Sequence, residues 1–115
     1  MSKVIEVKDE SIVFDDGLQI YSYHSSECCE EHYLSFKDLT IQDFEGLEFD
    51  LTGDNFFNRV KGYGIELIPL HGHPVRVPGY GSNNGYYSEQ LSLCLDGIEG
   101  VDKCWDITDC QEIDY

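Results

Sequence analysis

Histidine and cysteine gather at His24, Cys28, Cys29 and His32. Thiolate sulfur and imidazole nitrogen are the ligands that a tetrahedral Zn²⁺ site uses. On a helix, the i, i+4, i+8 spacing of His24, Cys28 and His32 aligns them on one face. His71 and His73, or Cys104 and Cys110, are the further ligands that other parts of the chain could add. The paired C-x₂-C knuckles of zinc domains are missing, however, and the neighbours Cys28 and Cys29 point in different directions. A cap-and-turn segment with a partly buried cysteine outweighs the metal reading. No metal and no cofactor are therefore expected, and His24, Cys28, Cys29 and His32 stand only as weak metal candidates.

Other constellations carry less. His71-Gly72-His73 places two imidazoles at what reads as a hairpin tip, where solvation is their ordinary state and titration near neutral pH their main property. Gly79-Tyr80-Gly81-Ser82-Asn83-Asn84-Gly85 invites comparison with a phosphate-binding loop. It lacks the final glycine and the lysine, and no βαβ unit surrounds it. It reads as a shaped loop of Gly and Asn residues, with Tyr80, Tyr86 and Tyr87 forming an aromatic contact surface. Ser82 is not in a nucleophile elbow. Acid pairs such as Asp15-Asp16 and Glu30-Glu31 are too numerous to nominate a general acid and base, and Asp50-x-x-Gly53-Asp54-Asn55 lacks the spacing of a calcium loop. The sequence gives no reason to expect an enzyme.

The elements that must position these residues read as short strands. Val4 to Val7 and Ser11 to Phe14 are strand-like, Asp15-Asp16-Gly17 is a hairpin turn, and Leu18 to Tyr23 returns with Leu18, Ile20 and Ser22 on one face. Residues 25–32 are helix-compatible, and Tyr33 to Phe36 can be extended. Thr40 to Gly46 reads as one helical turn, capped by Thr40 and stopped by Gly46. Leu47, Phe49 and Leu51 alternate with Glu48 and Asp50 as in a half-buried strand. Tyr63 to Leu70 is the most apolar stretch. His73 to Val77 follows it, and Pro74 and Pro78 place that strand at a sheet edge or a bend. Tyr86 to Leu95 and Cys104 to Cys110 complete the set. No repeat or linker interrupts residues 1–115, so one domain is expected. Its fold class is mainly β: a small antiparallel sheet, sandwich or open barrel with one or two short helices.

Composition supports this reading. The chain of 115 residues contains eight Tyr, six Phe and eleven Gly, and it contains no alanine, the best helix former. No apolar run suits a signal peptide or a membrane span, so a soluble protein made in the cytoplasm is expected. Its five cysteines are then expected as reduced thiols, mostly acting as small buried hydrophobes.

Charge is the largest departure from the ordinary. Asp and Glu number 23 against seven Lys and Arg, a formal net charge of −16. Asp38, Asp43, Glu45, Glu48, Asp50 and Asp54 follow one another without a base among them, and Asp96, Glu99, Asp102, Asp106, Asp109, Glu112 and Asp114 are opposed only by Lys103. Embedded in strand-like sequence, these acids must decorate a folded surface. Such a field repels nucleic acid and anionic membranes and favours a basic protein partner; solubility alone is the competing explanation.

Glu27-Cys28-Cys29-Glu30 leading to Tyr33-Leu34-Ser35-Phe36, and Asn83-Asn84-Gly85-Tyr86-Tyr87-Ser88 leading to Leu91-Ser92-Leu93, resemble a family of small uncharacterised proteins of bacteriophages and prophage regions. The resemblance covers about residues 18 to 95. It implies no activity and no functional residues, only a phage-type setting in which small acidic proteins inhibit host factors. The combined expectation is a non-enzymatic protein that binds and inhibits a basic, nucleic-acid-binding host protein, a defence nuclease being one candidate, through an acidic nucleic-acid-mimicking surface. The acids of the two runs would replace phosphates, and Tyr80, Tyr86 and Tyr87 would supply contact area. An accessory or structural domain with a Cys/His zinc site is the alternative.

Overall fold

Short apolar-polar alternations bounded by turn residues form ten short strands in the computed structural model, which describes residues 2–24, 31–53, 55–82 and 90–114. The first three are β1 (Val4–Val7), β2 (Ser11–Phe14) and β3 (Gln19–Tyr23). Gly17, with φ +91, makes the tight turn between β2 and β3, a backbone state glycine adopts without steric cost. Ile12, Phe14 and Ile20 point into the core from this hairpin, each at most 1% exposed. β3 pairs next with β8 (Ser92–Asp96), and β8 with β9 (Lys103–Asp106). The first sheet therefore runs β1-β2-β3-β8-β9, all antiparallel.

The second sheet is built around β7 (Val75–Ser82). One half of β7 pairs antiparallel with β6 (Gly64–Leu67), which carries β5 (Phe57–Val60) on its other edge. The other half pairs antiparallel with β4 (Glu31–Leu34) and parallel with β10 (Glu112–Asp114). Inner faces of both sheets share one apolar cluster, to which Leu93 and Leu95 contribute from the first sheet and Leu34, Ile65, Leu67 and Val77 from the second. The mainly β class expected from sequence is observed. Among the described residues the helical content is one 3-10 turn, Ile41–Phe44, with Thr40 at its N-cap and Gly46 at φ +77 after it. No helix among them is long and apolar enough to cross a membrane.

Four expectations need correction. Pro74 and Pro78 do not put their strand at an edge; β7 pairs with β4, β6 and β10, more partners than any other described strand has. Pro74 precedes it. Pro78 accepts the Ser35 N–H through its carbonyl (2.8 Å), while Gly79 N–H donates to the Tyr63 carbonyl (2.7 Å) on the other edge. The donor that Pro78 lacks would face Ser35, so it ends the β4 ladder there without disturbing β6.

Gly79 to Ser82 is strand, not the start of a glycine loop; residues 83–89 lie outside the described set. Gly79 and Gly81 face inward, and their lack of a side chain admits close neighbours. A Cβ on Gly81 would come within 2.5 Å of His32 Nδ1 and 2.6 Å of Gln111 Oε1.

Leu47, Phe49 and Leu51 are buried and alternate as expected, but the only pairing formed there among the described residues is the isolated Ser2–Phe49 bridge. The burial comes from rings: Phe49 packs edge-on against Phe14 and Phe44, at centroid distances of 6.0 and 6.3 Å.

Cys94 and Cys104 are joined in a disulfide, contrary to the expectation of reduced thiols. They are directly opposed across β8 and β9, with Cα atoms 4.2 Å apart, close to the spacing of a non-hydrogen-bonded antiparallel pair. Register supplies what residue counting could not. Cys110 is a buried free thiol, and its burial raises its pKa. Cys28 and Cys29 lie outside the described residues.

Candidate functional site

The end of β3 and the start of β4 bring His24 and His32 together. Their rings stand edge to face with centroids 4.5 Å apart. The helix expected across this stretch does not place His32, which belongs to β4 and is 5% exposed. His24 Nδ1 lies 2.6 Å from the Gln90 carbonyl, and His32 Nδ1 lies 2.6 Å from Gln111 Oε1. The Gln111 amide is oriented by its own Nε2–H, which donates to the Thr108 carbonyl at 2.8 Å. A cleft of about 480 Å³ opens beside the two imidazoles, with Asp9, Glu10, Glu31 and Lys37 among its walls. His71 and His73 are exposed and remote in the chain from this pair, flanking Gly72 at φ +99 between β6 and β7.

A second surface adjoins the cleft through Tyr33. Cross-strand register puts Tyr33 opposite Tyr80, Tyr80 opposite Glu112, and Glu31 opposite Ser82. The inward residues of these strands are His32, Leu34, Gly79 and Gly81, so Tyr33 and Tyr80 must point outward. Their rings are 6.0 Å apart and 38% and 39% exposed. A shallow hollow of about 430 Å³ lies along this face, with Glu31 and Glu112 at its rim. Two phenol faces flanked by carboxylates suit a guanidinium or ammonium group, which gains from ring quadrupole and charge together. The sequence nominated Tyr80 for a contact surface and placed Glu112 in the second acidic run; that Tyr33 joins them follows only from the pairing of β4 and β10 with β7.

The acids of the two runs are distributed as follows. Asp38, Asp43 and Glu45 are exposed around the 3-10 turn, where the Asp43 carboxylate accepts the Thr40 N–H at 2.8 Å. Glu48 lies 3.5 Å from Lys3 Nζ. Asp50 and Asp106 repeat one device: each carboxylate accepts both the N–H and the hydroxyl of the threonine two residues on, Thr52 and Thr108. These bonds hold both carboxyls below the usual carboxylate range. Asp96 accepts from Gln19 Nε2 and from the Tyr21 hydroxyl, each at 2.9 Å. That hydrogen bond, then burial and the charges of Asp96 and Asp102, raise the Tyr21 pKa.

Glu99, Asp102 and Asp109 are exposed. The two runs meet where Lys103 Nζ donates to the Thr52 carbonyl at 3.3 Å. Arg59 Nε donates to the Asp106 carbonyl at 2.9 Å, fastening β5 to β9 across the same seam. Asp54, Tyr86 and Tyr87 lie outside the described residues, as do Cys28 and Cys29. No group of three or more potential metal ligands is found among the described residues.

Comparison with known proteins gives no match, whether to a family model, a curated protein or a solved structure.

Proposed function

We propose that this chain is a non-enzymatic, phage-type protein that binds and blocks a basic, nucleic-acid-binding host protein. The observation that carries the reading is how little of its negative charge is quenched. Of 23 acidic residues in the chain, those among the described set with a cationic side chain within 4.0 Å are Glu48 and Glu66, beside Lys3 and Arg76. Carboxylates held outward on a β scaffold, in fixed positions, can occupy the sites of phosphates on a basic surface and release the same counterions. Tyr33 and Tyr80 add rigid aromatic area between Glu31 and Glu112, the kind of contact that anchors an interface. The phage-type setting comes from the resemblance of the Glu27–Phe36 and Asn83–Leu93 stretches.

The test is to capture host proteins on the immobilised chain at 50 mM NaCl, elute with a salt gradient, and titrate the recovered protein directly. Binding should weaken at least tenfold between about 50 and 200 mM salt, duplex DNA should compete for it, and Tyr80→Ala should weaken it further. A recovered partner that ignores salt, or that binds DNA and this chain at once without competition, overturns the reading.

A further inference from the structure

We infer that the outer face of β4, β7 and β10 takes an arginine side chain of the basic partner in the hollow between Tyr33 and Tyr80. A second cation of the same extended segment then enters the adjoining cleft. The inference rests on the basic-partner reading and names the group that the partner presents. Pairing sets Tyr33, Tyr80 and Glu112 side by side across three strands, with Glu31 two positions before Tyr33 on the same face. All four residues are exposed. Among the described residues, no lysine or arginine lines this hollow or lies within 4.0 Å of Glu31 or Glu112.

The protein builds this combination once with an arginine of its own. Arg76, exposed on the same face of β7 as Tyr80, holds Cζ 5.6 Å from the Tyr63 ring centroid and Nε 3.8 Å from Glu66. The hollow offers two rings, 6.0 Å apart, where Tyr63 offers one, and two carboxylates where Glu66 offers one. A guanidinium suits it because it is planar: it lies over a phenol and still extends N–H groups sideways to a carboxylate. An ammonium is a compact, strongly hydrated point charge without that fork. The cleft continues the surface, since Glu31 and Tyr33 line it too. Beyond them stand Asp9, Glu10 and Tyr23, with Lys37 the cation among its walls. Three carboxylates against one ammonium leave a surplus of negative charge for a second guest. Alternate side chains of an extended peptide share a face at roughly 6.7 Å spacing, so an Arg-x-Arg pair can straddle Tyr33.

The experiment titrates the full, isotope-labelled chain with the peptide acetyl-Gly-Arg-Gly-Arg-Gly-amide at about 20 mM NaCl, following tyrosine ring signals by NMR. The Tyr33 and Tyr80 rings should shift most. Replacing both arginines by lysine should weaken binding at least about threefold, and replacing them by neutral citrulline at least about tenfold. Tyr80→Ala and Glu112→Gln should each weaken it at least about fivefold. Glu6→Gln, which removes the same charge from an exposed position on β1, should change it less than about twofold. A citrulline peptide that binds as well, shifts spread over other tyrosines with Tyr33 and Tyr80 unmoved, or equal losses in Glu6→Gln and Glu112→Gln would each overturn the assignment. The two readings fail separately. Should host capture yield no salt-sensitive protein while the peptide seats between the tyrosines, the host-protein reading falls and the arginine seat stands. Should a salt-sensitive host protein bind Glu112→Gln no more weakly than Glu6→Gln, the seat falls and the host-protein reading stands.

Discussion

Two carboxylates of this protein are tied to the threonine two residues on, and that tie sets how their turns respond to acid. Asp50 and Asp106 are turned onto the N–H and hydroxyl of Thr52 and Thr108, which lowers their pKa values. A carboxyl whose folded pKa is depressed stabilises the fold above its unfolded value, near 4, and loses that contribution as pH falls through the folded value. Thr108→Val removes the hydroxyl and keeps the backbone donor. It should therefore cost under about 1 kcal/mol at pH 7, because Asp106 is solvent-exposed. The cost should fade as the pH drops below about 4. Thermal melts of wild type and variant between pH 2.5 and 7 check this; a cost that persists unchanged at the acid end would assign it to the turn itself and not to the charge.

At the scale of the element, the β8–β9 hairpin depends on a bond that its sequence conceals. Cys94 and Cys104 are separated by ten positions. Closing a loop of that size removes chain entropy worth about 2–3 kcal/mol from the unfolded state. Reduction should lower Tm by on the order of 10 °C, whereas Cys94→Ala/Cys104→Ala should melt at the reduced temperature with or without reductant. Scanning fluorimetry with and without a phosphine reductant makes the comparison.

The hairpin also marks the limit of reading from sequence. The β2–β3 hairpin was legible because everything that makes it is local: alternating Ile12, Phe14, Leu18 and Ile20 around Asp16-Gly17. The Thr40 cap and the Gly46 stop were legible for the same reason. β5 and β10 were missed. Phe56 and Phe57 are adjacent rather than alternating, both packing on Trp105 at centroid distances of 5.3 and 5.6 Å, and β10 is held by partners more than thirty positions away. His24 and His32 were singled out by residue type; their rings meet where the chain leaves β3 and enters β4, and residues 25–30, where a helix was expected, lie outside the described set.

For the whole molecule the governing quantity is a charge of −16 on a body 42 × 30 × 22 Å across. At 10 mM salt the screening length is about 30 Å, so nearly every carboxylate feels every other. At 200 mM it is about 7 Å, and only immediate neighbours matter. Self-repulsion should thus be largely relieved by salt, raising Tm by about 3–6 °C between these conditions at pH 7. Calorimetry across a salt series decides it; a flat or falling Tm would mean that the acids are compensated in a way their surroundings do not reveal.

β7 draws its neighbours from residues 31–34, 64–67 and 112–114, so the β5-β6-β7 meander can form locally but the second sheet is complete only when two distant segments join it. Each pairing requires loop closure before it yields any contact. The strand at the centre should therefore be among the last to lock during folding. Once locked, its amides can open to solvent only if several distant segments separate together, which makes them candidates for the slowest hydrogen exchange in the molecule.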